Sequence, residues 1–439
     1  MKIAFYTLGC KVNQYETQGL KENFKSLGYE IADSAEEEAD VYVVNTCTVT
    51  GLSDRKSRQY IRRMKKKNPE AITAVIGCYA QISPDEVAAV EGVDIVAGTN
   101  EKSRLPELIE QWKREHQQVR RVLEYDQLGQ CYEDMGIITS MESRTRAFIK
   151  VQEGCNRFCS YCVIPYARGM VRSRPKEDVL KEAQALIDAG FKELVLAGIN
   201  TALYGAEPDF PQEESGLTGV EILIDAISRL EGDFRIRLSS LEPTVVNGEY
   251  VKRLLKYDKL CHHLHLSAQS GSDNILSAMN RRYDRKEYLE IARVLKDADP
   301  GSGISTDLIA GFPGETEADH QDSVRLISEA GFYKVHAFTY SKRPGTKAAE
   351  MKGHLAPQLK KRRTQELIEA GEAEAARFAA ACVGQKRVVL FEERDTNGLW
   401  RGHADNFLQV YVDSSEELEG KLIPVTLTEV YRDGVKGTI

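Results

Sequence analysis

Long apolar runs are missing from this sequence of 439 residues. No segment reaches the roughly 18 consecutive apolar residues that a membrane-spanning helix needs. The first residues, MKIAFYTLGCK, have the pattern of a strand and lack both the long apolar segment and the small-residue cleavage site of a signal peptide. Internal repeats and low-complexity segments are absent as well. With 42% hydrophobic and 29% charged residues, the chain is expected to be a soluble cytoplasmic protein of two or three domains.

An excess of positive charge is also missing, since the net charge is −8. This balance argues against a general nucleic-acid coat protein but is compatible with local basic patches. A disulfide framework is not expected from the nine cysteines, because the cytoplasm keeps thiols reduced. Metal binding or catalysis is the better interpretation for six of them. The other three, Cys131, Cys261 and Cys382, are isolated and are interpreted as small apolar residues.

Residues 1–140 alternate short apolar runs with amphipathic stretches, which predicts an open parallel α/β domain. The runs KIAFYTLGC, DVYVVNTCTV and TAVIGC are predicted strands, and VRRVLEY is a later candidate. NQYETQGLKENFKSLG and SDRKSRQYIRRMKKK are predicted helices, the second with Ser53 as its cap.

Each of the first three strands ends in a cysteine, namely Cys10, Cys47 and Cys78. In open parallel sheets, ligands gather beyond the carboxyl ends of the strands. These three cysteines are therefore expected to converge at one edge of one sheet. The alternative is three buried strand-end thiols that bind nothing.

Residues 141–375 contain six more candidate strands: AFIKVQ, ELVLAGI, RIRLSSLE, HLHLSAQ, GISTDLIAGF and KVHAFTYS. Helical patterns lie between them, such as the one that begins at Pro175. Six strand–helix units fall short of the eight of a closed barrel, so a partial, open (βα)6 barrel is predicted. Residues 376–439 are β-rich with turn signals at TNG and DG, which predicts a small antiparallel β-barrel.

A fourth cysteine is missing from the loop EGCNRFCSYCVIPYARG, which follows the first strand of the partial barrel. Its cysteines are Cys155, Cys159 and Cys162. A structural zinc site needs four ligands. The three histidines of the HHLH run are poor partners, because strand alternation separates His262 from His263. A [4Fe–4S] cluster held by three cysteines instead keeps one iron open for a small molecule.

This loop resembles the cysteine loop of the radical S-adenosylmethionine superfamily. The resemblance lies in the spacing of the cysteines, in the place of the loop after the first barrel strand, and in Tyr161 before the last cysteine. The resemblance implies that the open iron binds S-adenosyl-L-methionine. An electron from the cluster then cleaves the cofactor, and the resulting deoxyadenosyl radical abstracts hydrogen from an unactivated carbon. The protein's task is to orient the cofactor and shield the radical.

The whole chain resembles the methylthiotransferases, which carry an N-terminal cluster domain, a central radical domain and a C-terminal TRAM domain. The motifs that carry the resemblance are LGCKVNQYE, VVNTCTVT, AVIGCYAQ, CNRFCSYC, ARGMVRSRP, GFPGETE and YSKRPGT. The family implies a second, auxiliary [4Fe–4S] cluster on Cys10, Cys47 and Cys78. One cofactor molecule would methylate a sulfur attached to that cluster, a second would yield the radical, and the methylthio group would join the substrate carbon. All six cysteines are then catalytic, metal-binding residues.

The run TLGCKVNQYET resembles the branch of the family that acts on N6-threonylcarbamoyladenosine beside the tRNA anticodon. The isopentenyladenosine branch typically has Gln-Met-Asn after that cysteine. The alternatives are the isopentenyladenosine branch, the branch that modifies an aspartate of a ribosomal protein, and a non-catalytic metal-containing RNA-binding protein. The expected partners are the tRNA anticodon loop and a reductant such as flavodoxin or ferredoxin.

Two basic segments are candidate contacts for RNA phosphates. Residues 55–67 hold eight lysines and arginines without one acid, although a solvated surface helix is an equal interpretation. Residues 360–363 form a second cluster, which either faces the same strand or decorates a linker helix. The C-terminal barrel offers stacking aromatics and two nearby arginines: Trp400, Phe407, Tyr411, Tyr431, Arg401 and Arg432. Residues 382–439 nevertheless hold seven Lys/Arg against ten Asp/Glu, which keeps a protein substrate open.

Polar residues at the predicted strand ends of the barrel are the candidates for holding the cofactor, with capping of turns as the alternative. They are Asn200, Ser239, Glu242 and Gln269. By resemblance, Tyr161 positions the adenine through its backbone. Asp307 and the GFPGET loop are expected to shape the pocket wall. That loop lacks the Gly-Lys-Ser/Thr of a phosphate loop, so no nucleoside triphosphate site is expected.

Overall fold

A computed structural model of the protein describes residues 1–129, 132–141, 145–211, 213 and 216–439. Cys131 and part of the segment TSMESRT lie outside these residues. Within them, no helix is long and apolar enough to cross a membrane.

The N-terminal unit is built on a six-stranded sheet in which every strand pairing is parallel. Its strands are β1 (Lys2–Thr7), β2 (Glu30–Ile31), β3 (Val41–Thr46), β4 (Ile72–Gly77), β5 (Ile95–Ala97) and β6 (Val119–Arg121). Its helices are α1 (Lys11–Ser26), α2 (Gly51–Lys67), α3 (Cys78–Ile82), α4 (Pro84–Ala88) and α5 (Leu105–Glu115). The order β2-β1-β3-β4-β5-β6 confirms the predicted open parallel sheet.

Apolar clusters on both faces of this sheet hold the helices in place. Tyr60, Ile61 and Met64 of α2 pack on one face, and Leu20 and Phe24 of α1 pack on the other. The predicted cap of α2 is wrong by three residues. The helix begins at Gly51, and the Thr50 hydroxyl accepts a hydrogen bond from the Ser53 backbone N–H at 3.2 Å.

The central unit contains all six predicted strands, arranged as a half-barrel. Its strands are β7 (Arg146–Glu153), β8 (Arg172–Ser173), β9 (Glu193–Gly198), β10 (Arg235–Leu238), β11 (Ser240–Leu241), β12 (His263–Leu266), β13 (Gly303–Ala310) and β14 (Lys334–Thr339). They form two sheets, ordered β10-β9-β7-β8 and β11-β12-β13-β14. The short β8 pairs antiparallel with β7, and the other pairings are parallel.

Nine helices alternate with the strands of this unit in the part of the chain that the structure describes. They are α6 (Ile164–Arg168), α7 (Lys176–Asp188), α8 (Glu221–Ser228), α9 (Gly248–Leu254), α10 (Asp273–Ala278), α11 (Arg285–Ala298), α12 (Glu317–Ala330), α13 (Lys347–Glu350) and α14 (Pro357–Cys382), with a 3-10 turn at Thr201–Leu203. Leu264, Leu266, Ile304 and Leu308 belong to the core beneath these helices. Alternation then directs the intervening polar side chains to the hollow inner face, which is called the lumen below.

The C-terminal unit is a closed five-stranded barrel, as predicted. Its strands are β15 (Lys386–Arg394), β16 (Trp400–Ala404), β17 (Gln409–Val412), β18 (Leu422–Tyr431) and β19 (Gly434–Thr438). Four pairings are antiparallel, and β17 pairs parallel with β19 because the β18–β19 hairpin places β19 beside β17. Helix α14 runs past residue 375, and its Phe378 and Cys382 pack into the core of this barrel.

The loop between β16 and β17 lies against the amino-terminal ends of the half-barrel strands and forms the floor of the lumen. Phe407 in this loop stacks on the His263 ring, with centroids 5.0 Å apart, and lies 4.4 Å from the Arg237 guanidinium. Arg235 and Arg237 donate hydrogen bonds to backbone carbonyls of the C-terminal barrel at 3.0 to 3.3 Å. The fully buried carboxylate of Glu193 pairs with both arginines, at 2.6 and 2.8 Å.

We expect Glu193→Gln to lower the free energy of unfolding by about 3 to 5 kcal/mol, because two buried guanidinium groups lose the carboxylate that neutralises them. Urea unfolding followed by tryptophan fluorescence measures this. The chain has two tryptophans, so a Trp112→Phe background leaves Trp400 of β16 as the reporter of the C-terminal barrel. The control is Glu249→Gln, which removes an exposed pair with Lys252 and should leave stability unchanged. Equal effects of the two substitutions would contradict the role of Glu193.

Candidate active site

The three N-terminal cysteines lie at the carboxyl ends of three neighbouring strands, β1, β3 and β4. Cys47 follows β3 directly, Cys78 is the first residue of α3, and Cys10 caps α1. Gly9 has a φ of +107°, and a Cβ there would lie 2.8 Å from the Cys47 Cβ. Glycine therefore permits the turn that brings the chain before Cys10 directly against Cys47.

These thiols interact electrostatically. Burial, together with the neighbouring sulfurs of Cys78 and Cys10, raises the pKa of Cys47 to about 12. Three thiolates at one edge repel one another unless positive charge lies between them. A metal centre supplies that charge and keeps its thiol ligands deprotonated.

The second cysteine set lies in the loop after β7. The Cys155 backbone N–H donates to the Gly169 carbonyl at 3.0 Å, and the Cys162 N–H donates to the Cys159 carbonyl at 3.0 Å. The Asn280 side chain donates to the carbonyl of Phe158 at 3.0 Å, where the backbone is left-handed with φ +47°. Burial raises the pKa of Cys155 to about 11 and that of Cys162 to about 12, with the Cys159 sulfur adding to both shifts.

The geometry of the two sets differs from that of a single-ion site. Within the described ranges, no group of three or more His, Cys, Asp or Glu side chains is placed to hold one metal ion. Thiolates on one tetrahedral zinc lie about 3.8 Å apart, since each Zn–S bond is about 2.3 Å. A [4Fe–4S] cluster binds each thiolate at a different iron and holds them farther apart. Three thiols in each set are the donor set of a [4Fe–4S] cluster that keeps one iron open.

A buried arginine contacts each set. Arg168 donates from Nε to the Cys78 sulfur at 3.4 Å, and Arg281 donates from Nη1 to the Cys159 sulfur at 3.5 Å. Hydrogen bonds to cluster sulfurs raise reduction potentials, because they disperse the negative charge of the reduced state. The motif ARGMVRSRP contains Arg168, but its contact with Cys78 was not predicted. Neither arginine lies next to a cysteine of its set in the sequence.

One buried ionic network joins the two sets. The Glu16 carboxylate pairs with Lys102, with Lys150 at 3.3 Å and with Arg168 at 2.9 Å. Burial opposes ionisation of Glu16, but Arg168, Lys102 and Lys150 outweigh it and hold its pKa well below the usual range. Lys150 also pairs with Glu153, at 3.1 Å, the last residue of β7 before the cysteine loop. The N-terminal sheet and the half-barrel therefore share one set of charges.

Two of the predicted cofactor-binding residues lie in direct contact. The Asn200 amide donates to the Glu242 carboxylate at 3.0 Å, and Arg157 pairs with the same carboxylate at 2.6 Å. Arg281 lies 3.5 Å from its other oxygen. Sequence reasoning missed both arginines, although Arg157 lies inside the cysteine loop. In the described part of the chain, Asn200 Oδ1 and Ser239 Oγ are buried without a hydrogen-bond partner, so they are available to a ligand.

The other two candidates are placed differently. Gln269 has a left-handed backbone, with φ +65°, and its N–H donates to the Asp307 carbonyl at 2.8 Å. Such a conformation at a non-glycine residue is typical of ligand-binding segments. The Tyr161 side chain instead packs against an apolar cluster that includes Met279 and Phe312. Only its backbone remains for the predicted contact with the adenine.

The two parts of the expected pocket wall lie in different surroundings. Asp307 lies on the lumen face, where its carboxylate accepts from the Ser267 hydroxyl at 3.1 Å. The GFPGET loop is anchored by an ion pair, in which its Glu315 carboxylate lies 2.7 Å from the buried Arg363 guanidinium. Arg363 is therefore a structural residue rather than an RNA contact, and Arg362 pairs with Glu317 at 3.0 Å.

The C-terminal aromatics are less available for stacking than expected. Trp400 and Tyr411 are buried, and Phe407 is held in the floor of the lumen. Tyr431 stays half-buried, with the ammonium of Lys436 4.5 Å from its ring centre. Cys261 and Cys382 are buried, as expected for small apolar residues. On α2, by contrast, Arg55, Arg62 and Lys66 are exposed along one helical row.

Family profiles match two parts of the chain. The profile described as the Radical SAM superfamily matches residues 149–327, and the one described as uncharacterized protein family UPF0004 matches residues 2–98. The structure of the radical S-adenosylmethionine methyltransferase TsrM from Kitasatospora setae is similar, with a TM-score of 0.57 at 14% identity. The similarity covers 79% of this chain and 74% of that one, and it supports the fold alone.

Sequence relatives cover nearly the whole chain. The threonylcarbamoyladenosine tRNA methylthiotransferase MtaB of Bacillus subtilis (strain 168) is 40% identical, over 98% of this chain and 95% of its own. The protein of the same name from Aquifex aeolicus is 38% identical, over 97% and 100%. The tRNA-2-methylthio-N(6)-dimethylallyladenosine synthase of Moorella thermoacetica is 35% identical, over 98% and 96%. The chain therefore belongs to the radical SAM methylthiotransferase family.

Proposed function

We propose that the protein adds a methylthio group to the adenine ring of N6-threonylcarbamoyladenosine next to the anticodon of tRNA. The observation that carries this proposal is the pair of three-cysteine sets, one at the edge of the N-terminal sheet and one after the first half-barrel strand, joined by the Glu16 network. The relatives named for this nucleoside support the choice of substrate.

In this proposal Cys155, Cys159 and Cys162 hold the radical SAM cluster, and Cys10, Cys47 and Cys78 hold the auxiliary cluster. S-adenosyl-L-methionine supplies the methyl group and the radical that activates the substrate carbon. This cofactor would be oriented by the polar side chains of Asn200, Ser239 and Glu242, together with Gln269 and the backbone of Tyr161. The unpartnered Asn200 Oδ1 and Ser239 Oγ support that role, because buried acceptors without donors are costly unless a ligand satisfies them.

Arg168 and Arg281 would act on the thiolates rather than on the substrate. Each donates an N–H to a cysteine sulfur from a buried position. A fixed guanidinium keeps its charge at any working pH, because its pKa lies far above that range. The two arginines would therefore stabilise the reduced clusters and hold the thiols in the orientation that the clusters need.

The exposed row of Arg55, Arg62 and Lys66 on α2 is proposed to bind tRNA phosphates. Helix α2 begins four residues after Cys47, so a strand lying along it would bring a flipped base to the edge of the N-terminal sheet. An anticodon loop is already single-stranded, which lowers the cost of splaying out the target base. Such a substrate would place the protein in the cytoplasm, with flavodoxin or ferredoxin as the class of electron donor.

Three functional units are proposed. Residues 1–140 carry the auxiliary cluster, residues 141–375 carry the radical SAM cluster, and residues 376–439 form the TRAM barrel.

The second candidate substrate is isopentenyladenosine in tRNA, because a relative named for that nucleoside is 35% identical over nearly the full length. The acidic C-terminal barrel, whose aromatics are largely buried, keeps an aspartate of a ribosomal protein as a third.

Nucleoside mass spectrometry tests the substrate. In tRNA from a host that lacks this activity, expression of the protein should add a methylthio group to threonylcarbamoyladenosine. A Cys155→Ala variant expressed at the same level is the matched control and should add none. Methylthiolation of isopentenyladenosine alone would overturn the branch, and unchanged nucleosides with both clusters loaded would overturn the tRNA substrate.

The two cysteine sets should be separable by substitution. Anaerobically reconstituted protein is expected to bind about eight irons, and Cys47→Ala or Cys155→Ala about four each. Cys155→Ala should abolish formation of 5′-deoxyadenosine, whereas Cys47→Ala should retain it and lose methylthiolation. Cys382→Ala, which removes a buried thiol far along the chain, is the control and should keep about eight irons. Methylthiolated product from Cys47→Ala would rule out the two-cluster scheme.

A further inference from the structure

The motif YSKRPGT comes directly after β14, the last strand of the half-barrel, and the proposed function gives it no role. Residues 341–348, called the brace below, run from this strand into the short helix α13. The Thr346 hydroxyl donates to the Arg343 carbonyl at 2.8 Å, which closes a turn within the brace. The Arg343 side chain is buried. Because a guanidinium keeps its charge, it needs partners for that charge in the interior.

Two side chains of the N-terminal unit hold Arg343. Its Nη2 donates to the Thr48 hydroxyl at 2.6 Å, and its Nη1 pairs with the Asp54 carboxylate of α2 at 2.7 Å. Thr48 follows Cys47 directly and is fully buried. Arg343 therefore holds the chain at the point where it leaves the auxiliary cysteine set.

The segment around Cys47 lies outside regular structure. Strand β3 ends at Thr46 and helix α2 begins at Gly51, so residues 47–50 form a short connection. The first N–H groups of a helix have no partner within the helix. The Gly51 N–H finds one in the Ser341 hydroxyl of the brace, at 3.2 Å. The brace thus contacts this connection and the start of α2 through Ser341 and Arg343.

The other end of the brace binds the second cysteine set. The Ala348 N–H donates to the Ser160 carbonyl at 2.8 Å, and Ser160 lies between Cys159 and Cys162. Ala348 is also buried in the apolar cluster that contains Met279. One short segment therefore contacts the chain beside both cysteine sets, through a polar group at one end and through packing at the other.

This connection is separate from the Glu16 network. That network reaches the half-barrel through Lys150 on β7, whereas the brace follows β14. The strand orders place β7 and β14 toward opposite sides of the half-barrel. The N-terminal unit is thus attached on both sides. A single attachment would let the unit turn about that point, and the second one fixes its orientation.

We propose that Arg343 is a positioning residue that fixes the auxiliary cysteine set relative to the radical cysteine set. The inference rests on the two-cluster scheme of the proposed function. In that scheme the methylthio group has to reach the carbon on which the radical acts, and a misplacement of about 1 Å can cost about 100-fold in rate. Cleavage of the cofactor needs only the radical set. Arg343 therefore controls how much of the radical chemistry ends in product.

The ratio of methylthiolated nucleoside to 5′-deoxyadenosine tests this role. It is measured with the anaerobically reconstituted holoprotein and a saturating anticodon stem-loop that carries threonylcarbamoyladenosine. In Arg343→Met the ratio should fall about 10- to 100-fold, while formation of 5′-deoxyadenosine stays at the wild-type level. Arg343→Lys should give an intermediate ratio, because an ammonium keeps the charge but lacks the fork that reaches Asp54 and Thr48 together.

Hydrogen exchange of the same holoprotein provides a readout that does not depend on activity. In Arg343→Met, peptides that cover residues 48–54 should exchange faster than in the wild type, because the contacts of this segment with the brace are lost. Peptides that cover residues 155–162 should exchange as in the wild type.

Arg387→Met is the matched control. It removes a similarly buried arginine–aspartate pair, Arg387 with Asp299 at 2.7 Å, at the junction with the C-terminal barrel, and it should keep the wild-type ratio. An unchanged ratio in Arg343→Met, or an equal fall in Arg387→Met, would overturn the proposal. Loss of the auxiliary irons in Arg343→Met would also overturn it, since Arg343 would then serve cluster assembly. Wild-type protein that forms 5′-deoxyadenosine without methylthiolating this RNA would overturn the proposed function instead.

Discussion

The buried carboxylate of Glu16 is the interaction on which the arrangement of this molecule depends. It neutralises Lys102 from the N-terminal unit together with Lys150 and Arg168 from the half-barrel. Removing Glu16 would leave the buried Lys102 without the carboxylate that it pairs with, at a cost of several kcal/mol. The network therefore locks the N-terminal sheet and the half-barrel in one relative position. Because Arg168 also contacts Cys78, the position of the two cysteine sets is locked with it. Chemistry that passes a group from one centre to a substrate held at another depends on such a fixed geometry.

A second buried carboxylate, Glu193, organises the opposite end of the half-barrel. Through Arg235 and Arg237 it binds the backbone of the C-terminal barrel, and Phe407 fills the space beneath His263. The C-terminal barrel thus has a structural role in addition to any contact with RNA. This structural role explains why a domain expected to bind nucleic acid uses its aromatic residues internally.

Much of the fold could be predicted, because short-range patterns carry it. Strand alternation located all six half-barrel strands, and the strand-end positions of Cys10, Cys47 and Cys78 predicted their common edge correctly. The residues that sequence reasoning missed share one property: their partners lie far along the chain. Arg168 is 152 residues from Glu16, and Arg281 is 122 residues from Cys159. A buried arginine is recognisable only once its carboxylate or thiol is known. The misplaced roles of Phe407 and Arg363 have the same origin, since exposure was assumed for residues that distant contacts bury.

The sequence by itself determined the order of the three units, the two sets of three thiols and the family, since periodicity and cysteine spacing are local properties of the chain. Only the tertiary structure decided which charged residues join the two sets and that Phe407 packs against His263 at the junction with the C-terminal barrel. These features depend on burial and on the pairing of charges across elements. Both arise when distant segments exclude water together, and no local pattern encodes them.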